Sequence, residues 1–231
     1  MSERAGTVWW DFDGTLVYRP SMWARTAIEL LQLARPSREV CAERLEVEFS
    51  RGMPWHRPCH SHPELTTASL WWRAVADRYA EVFATLGYDD AVTSRLGAQV
   101  RTIILDAQRY TVFPDAAPAM QVLQKEGWRQ VIISNHVPEL SQIVEALGFG
   151  RYISKVLTSG QVGYEKPDPR IFALASADLH ANERVWMIGD SPEADCIPAA
   201  MFGARPILVR NAHAQHPTAA ADLWAATAMI V

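Results

Sequence analysis

An alternation that begins after Pro114 most limits what this chain can fold into. Short apolar, β-branched runs alternate there with stretches whose apolar residues recur at helical spacing. The pattern predicts helices over 116–127, 138–148, 169–179 and 193–202. It predicts strands over 131–133, 156–158, 185–188 and 206–209. Gly127 marks a helix end, and Asp168-Pro169 reads as an N-cap followed by proline in the first turn. An earlier run, 7–12, is a buried first strand ending in a glycine-containing turn. The Ala-rich C-terminal stretch predicts one more helix. Strands alternating with helices imply a parallel, doubly wound α/β sheet.

Between Ser21 and Arg109 no strand pattern interrupts the helical spacing. Trp23, Ala27, Leu30 and Leu31 form one series, Leu70, Ala74, Val75, Tyr79 and Val82 another, and Leu96, Val100, Ile103 and Ile104 a third. About four helices are expected, with a Pro- and His-rich connection near Met53 to Pro63. This block lies between the first strand and the others, so it is expected as an inserted α-helical cap over the C-terminal edge of the sheet. The expected division is 1–18 with 110–231 for the α/β core and 19–109 for the cap.

Composition narrows the function classes. The chain has 231 residues and a formal net charge of −4. That charge gives no general attraction to nucleic acid or to an anionic membrane. Its three cysteines, Cys41, Cys59 and Cys196, are too few and too odd for a disulfide framework. The apolar run before Asp11 is too short for a signal segment or a membrane span. A cytoplasmic location is expected, with a small phosphorylated metabolite as partner and a monomer or homodimer as the assembly.

Four segments carry the chemistry: DFDGTL at 11–16, SN at 134–135, EKPDPRIF at 165–172 and GDSPEAD at 189–195. They are expected at the C-terminal ends of strands, where α/β folds bind ligands; the third is less clearly a strand end. These segments, in this order and spanning essentially the whole chain, resemble the haloacid dehalogenase superfamily of hydrolases, in the branch with a helical cap. The core segments look closest to that superfamily's phosphatases. The resemblance implies a Rossmann-like core and an aspartyl-phosphate intermediate. It also implies that Asp195 supports the metal site or the lysine from behind. Where relatives have small residues and glycine, this chain has Cys196-Ile197-Pro198, which could alter that helix start.

The residues support the same chemistry on physical grounds. A carboxylate at a strand end, Asp11, can attack phosphorus. A second carboxyl past a turn, Asp13, can protonate the leaving alkoxide and later deprotonate water. Neighbouring carboxyls in different surroundings suit one nucleophile and one acid. Ser134 and the main-chain N–H groups after it, Asn135 included, can donate to phosphoryl oxygens, and Ser134 could instead cap a helix. Lys166 can neutralise the phosphate and Asp11. Asp190, with Asp11 and the main-chain carbonyl of Asp13, offers the oxygen donors Mg²⁺ prefers.

Other readings remain at this point. A phosphomutase would use the same residues. A haloacid dehalogenase is disfavoured because its counterpart of Asp13 is not an acid. A non-catalytic binding protein would be expected to have lost a motif group. The cluster His56, Cys59, His60 and His62 has zinc-binding residue types but no standard zinc spacing. Arg51, His56 and Arg57 are read instead as substrate-facing cap residues. Of the Trp71-Trp72 pair, one is expected in the core and the other towards the cleft.

Overall fold

A computed structural model describes residues 5–35, 39–56, 61–210 and 216–231. Five parallel strands form its sheet: β1 (Gly6–Trp10), β4 (Trp128–Ser134), β5 (Lys155–Thr158), β6 (Val185–Gly189) and β7 (Arg205–Leu208). Their order is β5-β4-β1-β6-β7. Every residue of β1 is buried because helices cover both faces of the sheet. The pleat divides it. Val8 and Trp10 enter the larger apolar cluster, and Trp9 enters a second one with Val131, Ile133, Ile171, Phe172 and Met187.

Helices α1 (Met22–Ala34), α2 (Ala42–Phe49), α3 (Ala68–Thr85), α4 (Asp90–Gly97) and α5 (Val100–Leu105) follow β1. They are preceded by β2 (Val17–Tyr18) and followed by β3 (Thr111–Val112), which pair antiparallel. This two-residue ribbon was absent from the sequence reading; strands so short carry no periodicity. The helical block does not have its own separate interior. The larger cluster runs unbroken from Phe12 and Ile132 to Trp71, Tyr79 and Phe83.

The remaining helices are α6 (Ala116–Lys125), α7 (Leu140–Ala146), α8 (Ser159–Val162), α9 (Pro169–Ser176), α10 (Ile197–Met201) and α11 (Leu223–Ala228). Asp168 caps α9 by accepting the Arg170 N–H, with Pro169 at the first helical position. Two expectations need correction. The helix expected over 193–202 is a π-helical turn, Pro192–Cys196, that passes into α10. Pro198 has no N–H for the regular ladder. Lys166 does not end a strand: it lies beyond α8, in the loop leading to α9. Among the described residues no helix is long and apolar enough to cross a membrane.

Candidate active site

The site forms where β1, β4 and β6 end side by side. The Asp11 N–H donates to the Ile188 carbonyl at 2.9 Å, carrying the sheet bonding one residue past β1. The chain then turns: Leu16 and Val17 N–H groups donate to the Phe12 carbonyl, and the Gly14 N–H to Val17. Gly14 has φ +85°, and a Cβ there would sit 2.3 Å from an Asp190 carboxylate oxygen. Only glycine accommodates both the left-handed turn and the close approach. Gly189 has a similar role at β6, where a Cβ would meet the Asp195 carboxylate at 2.3 Å.

Lys166 is the hub of the charges. Its Nζ donates to Asp11 Oδ1 at 2.7 Å and to Asp195 Oδ1 at 2.6 Å, and all three side chains are buried. Burial works against the lysine's charge, but Asp11 and Asp195 hold its pKa above the ordinary range. The other oxygen of Asp195 accepts the Ser191 N–H at 3.1 Å. Both oxygens of Asp195 are thus engaged, whereas Asp11 has its Oδ2 buried with no hydrogen-bond partner. Burial pushes its carboxyl up to about 8, opposed by Lys166 and reinforced by Asp195 and Asp190.

Asp13 keeps 38 % of its side chain exposed at the cleft. Burial of the surrounding turn pushes its carboxyl up to about 7, with Arg19 and Lys166 pulling down. Water reaching the exposed part tempers that push. Asp190 is pushed up to about 6 by burial and by Asp195. Oxygens of Asp11, Asp190 and Asp195 lie within 4.8 Å of one another. The donors are hard carboxylate oxygens gathered at one point, which fits a divalent cation such as Mg²⁺. Each of these three carboxylates offers an oxygen that could hold it.

Ser134 ends β4, buried. It does not cap a helix; the residue at the N-terminus of α7 is Glu139. Asn135 uses both polar atoms of its side chain on the Lys166 main chain. Its Nδ2 donates to the Lys166 carbonyl at 2.8 Å, and its Oδ1 accepts the Lys166 N–H at 2.6 Å. That double clamp fixes the lysine's main chain, so any contact from Asn135 to a phosphate falls to its main-chain N–H.

The residues expected to face the substrate from the helical block fare differently. Arg51 and His56 are exposed, with the His56 ring edge-on to Trp55. Arg57 lies outside the described residues, as do Cys59 and His60 of the suggested zinc cluster. His62 is buried, and its Nε2 lies 2.7 Å from Glu165 Oε1, an acid neighbouring Lys166. Trp71 and Trp72 are both buried, which corrects the expected division between them. Trp72 Nε1 donates to both oxygens of Glu139 (3.1 and 2.9 Å), and Arg101 pairs with the same carboxylate at 2.7 Å.

The sequence reading missed Glu139, Glu165, Arg19 and His136. Glu165, beside Lys166, and His136, directly after Asn135, were signalled by position alone. Arg19 donates to the Ile103 and Ile104 carbonyls and lies over the Tyr110 ring.

Comparison with known proteins agrees with this geometry. A haloacid dehalogenase-like hydrolase family profile matches residues 6–203. A phosphoserine phosphatase of Thermus thermophilus is 29 % identical over 173 residues, 73 % of this chain and 68 % of that protein. A ribulose-1,5-bisphosphate 5-phosphatase of Halopiger xanaduensis is 33 % identical over 118 residues, 50 % of this chain and 49 % of that protein. Among solved structures, the HAD-hydrolase YfnB of Bacillus subtilis superposes with TM-score 0.71 at 15 % identity, covering 99 % of both chains. A 2-haloacid dehalogenase of Pseudomonas syringae superposes with TM-score 0.68 at 23 % identity, covering 97 % of both. With the family profile spanning most of its length, this chain belongs to the haloacid dehalogenase-like hydrolases.

Proposed function

We propose that this hydrolase is a Mg²⁺-dependent phosphatase that cleaves a small phosphomonoester through an aspartyl-phosphate on Asp11. The observation that carries the reading is the asymmetry of the Asp11 carboxylate. Lys166 holds Oδ1 and stops the group from rotating, while Oδ2 is buried and unpartnered, left for an electrophile. The carboxylate attacks phosphorus as the bond to the ester oxygen breaks, and Asp13 gives its proton to the departing alkoxide. Asp13 then takes a proton from water as the water oxygen attacks phosphorus, releasing phosphate and restoring Asp11. The Ser134 hydroxyl and the N–H groups after it receive phosphoryl oxygens, and Lys166 offsets their charge.

Asp11, Asp190 and the Asp13 carbonyl would hold Mg²⁺. When bound, the ion keeps the buried carboxylates ionised and neutralises charge on the phosphoryl group. Asp13 supports phosphate rather than carbon–halogen chemistry, because it supplies an acid that a halide leaving group does not need. The helical block, 19–109, would act as the cap that selects substrate. The sparse, odd number of cysteines supports a cytoplasmic setting.

The test is hydrolysis of 4-nitrophenyl phosphate by the purified protein with Mg²⁺. Asp11→Asn is expected to lower kcat by more than about 10³-fold, and excess chelator to abolish turnover. Full activity of Asp11→Asn would overturn the covalent mechanism. Undiminished turnover in chelator would overturn the metal requirement.

A further inference from the structure

His136 is a buried imidazole that the mechanism above does not use. Its side chain is fully enclosed, and its ring lies edge-on to Phe12 with centroids 5.6 Å apart. Its main-chain carbonyl accepts the Gly160 N–H at 3.1 Å, and its neighbour Asn135 is clamped to Lys166. Little freedom remains to the ring. Nε2 lies 3.3 Å from Asp13 Oδ2 and 3.4 Å from the Tyr110 hydroxyl. Nδ1 is buried with no partner.

These two nitrogens decide where the ring's proton belongs. The Tyr110 hydroxyl can spend its own proton on the Ile104 carbonyl, 3.0 Å away, and so presents a lone pair to His136. A proton on Nε2 faces two acceptors; a proton on Nδ1 faces none. Enclosure among Phe12 and Tyr110 favours the neutral ring. The approach to Asp13 is longer than a well-formed hydrogen bond, as is common where a catalytic contact tightens only with substrate in place.

We propose that His136 is the positioning residue for the acid–base carboxyl, its Nε2–H directed at Asp13 Oδ2 so that Oδ1 alone carries the transferred proton. A carboxyl that accepts at Oδ2 places its own proton on Oδ1. In the first step that proton passes from Oδ1 to the ester oxygen as the phosphorus–oxygen bond breaks. In the second, Oδ1 takes a proton from the attacking water. His136 neither gains nor loses a proton. The inference rests on the phosphatase reading above.

The experiment compares phosphate esters of graded leaving-group ability. His136→Phe removes the donor and keeps an aromatic ring, whereas His136→Gln keeps a side-chain N–H. For alkyl phosphates, poor leaving groups that need the acid, His136→Phe is expected to lower kcat about 10- to 100-fold, with KM nearly unchanged. For 4-nitrophenyl phosphate the loss is expected to stay below about 3-fold, and His136→Gln to restore most of the alkyl phosphate rate. In an Asp13→Ala background, adding His136→Phe should change nothing further. Equal slowing of good and poor leaving groups, or an undiminished effect without Asp13, would overturn the proposal. A second measurement needs neither variant nor activity: the ¹⁵N shifts of His136 in the wild-type protein should report the Nε2–H tautomer, and an Nδ1–H ring would overturn it. An inactive wild-type enzyme would instead count against the phosphatase reading.

Discussion

The α/β part and the helical block share one apolar interior but use polar side chains in opposite ways. On the α/β side, Asp11, Lys166 and Asp195 are buried and bound to one another, leaving one Asp11 oxygen without a partner. On the helical side, three polar side chains serve attachment. Trp72 and Arg101 hold Glu139, and His62 holds Glu165. Both carboxylates belong to the α/β part, and each lies close in sequence to a phosphate-binding segment. One side therefore holds a reactive group under tension, while the other holds position. That difference teaches where chemistry and selectivity would reside, and it can be broken from either side.

The largest effect is expected at Lys166. Lys166→Met leaves two buried carboxylates facing each other without their cation. Breaking a buried charge network this way costs about 3 kcal/mol or more of folding stability. The activity loss should exceed about 10²-fold, because the charge that faces the phosphate goes with it. Urea denaturation and kcat for 4-nitrophenyl phosphate check the two effects separately. A variant as stable as the wild type would show that the three charges do not need one another, and the contrast drawn above would fail.

A smaller effect is expected at Glu139. Glu139→Ala leaves the Trp72 indole N–H buried without its acceptor, at a cost of about 1–3 kcal/mol. Arg101 is half exposed and can turn to water, so its lost partner adds little. The Lys166–Asp11 contact is untouched, so the loss should appear in the denaturation midpoint more than in kcat. A kcat loss as large as that of Lys166→Met would mean that attachment and chemistry are not separable.

The two regions also differ in how well they could be read. All five strands of the sheet were legible as short apolar runs, most clearly Val131-Ile132-Ile133, where burial on both faces makes the run continuous. The site was legible because Asp11, Ser134 and Asp190 each follow such a run, and because Lys166 is one of few lysines and is fixed by prolines. The ribbon of Val17–Tyr18 with Thr111–Val112 was not, because two residues make no pattern. The side chains that attach the helical block were invisible for a different reason. Trp72 and Glu139 are 67 residues apart, and His62 and Glu165 are 103. Periodicity gives the face a residue occupies but not the distant partner it meets. The Trp71-Trp72 spacing accordingly shows two faces but not that Trp72 ties to Glu139. The Asn135 side chain, a clamp on the Lys166 main chain, was invisible for the same reason.

The smallest effects are expected at Arg51 and His56. Both are exposed; His56 lies edge-on to Trp55, which stacks on Trp71. Alanine at either position should change stability by less than about 0.5 kcal/mol, as for most exposed sites. It should also change kcat/KM for 4-nitrophenyl phosphate by less than about 3-fold, a shift of less than 0.7 kcal/mol in transition-state binding. The informative readout is a panel of phosphorylated metabolites assayed beside that aryl ester. If Arg51→Ala or His56→Ala lowers kcat/KM more than about 10-fold for one metabolite and leaves the aryl ester alone, this segment reads the part of the substrate that the aryl ester lacks. A uniform loss across the panel would place these residues with the chemistry instead, and the division of labour between the α/β part and the helical block would not hold.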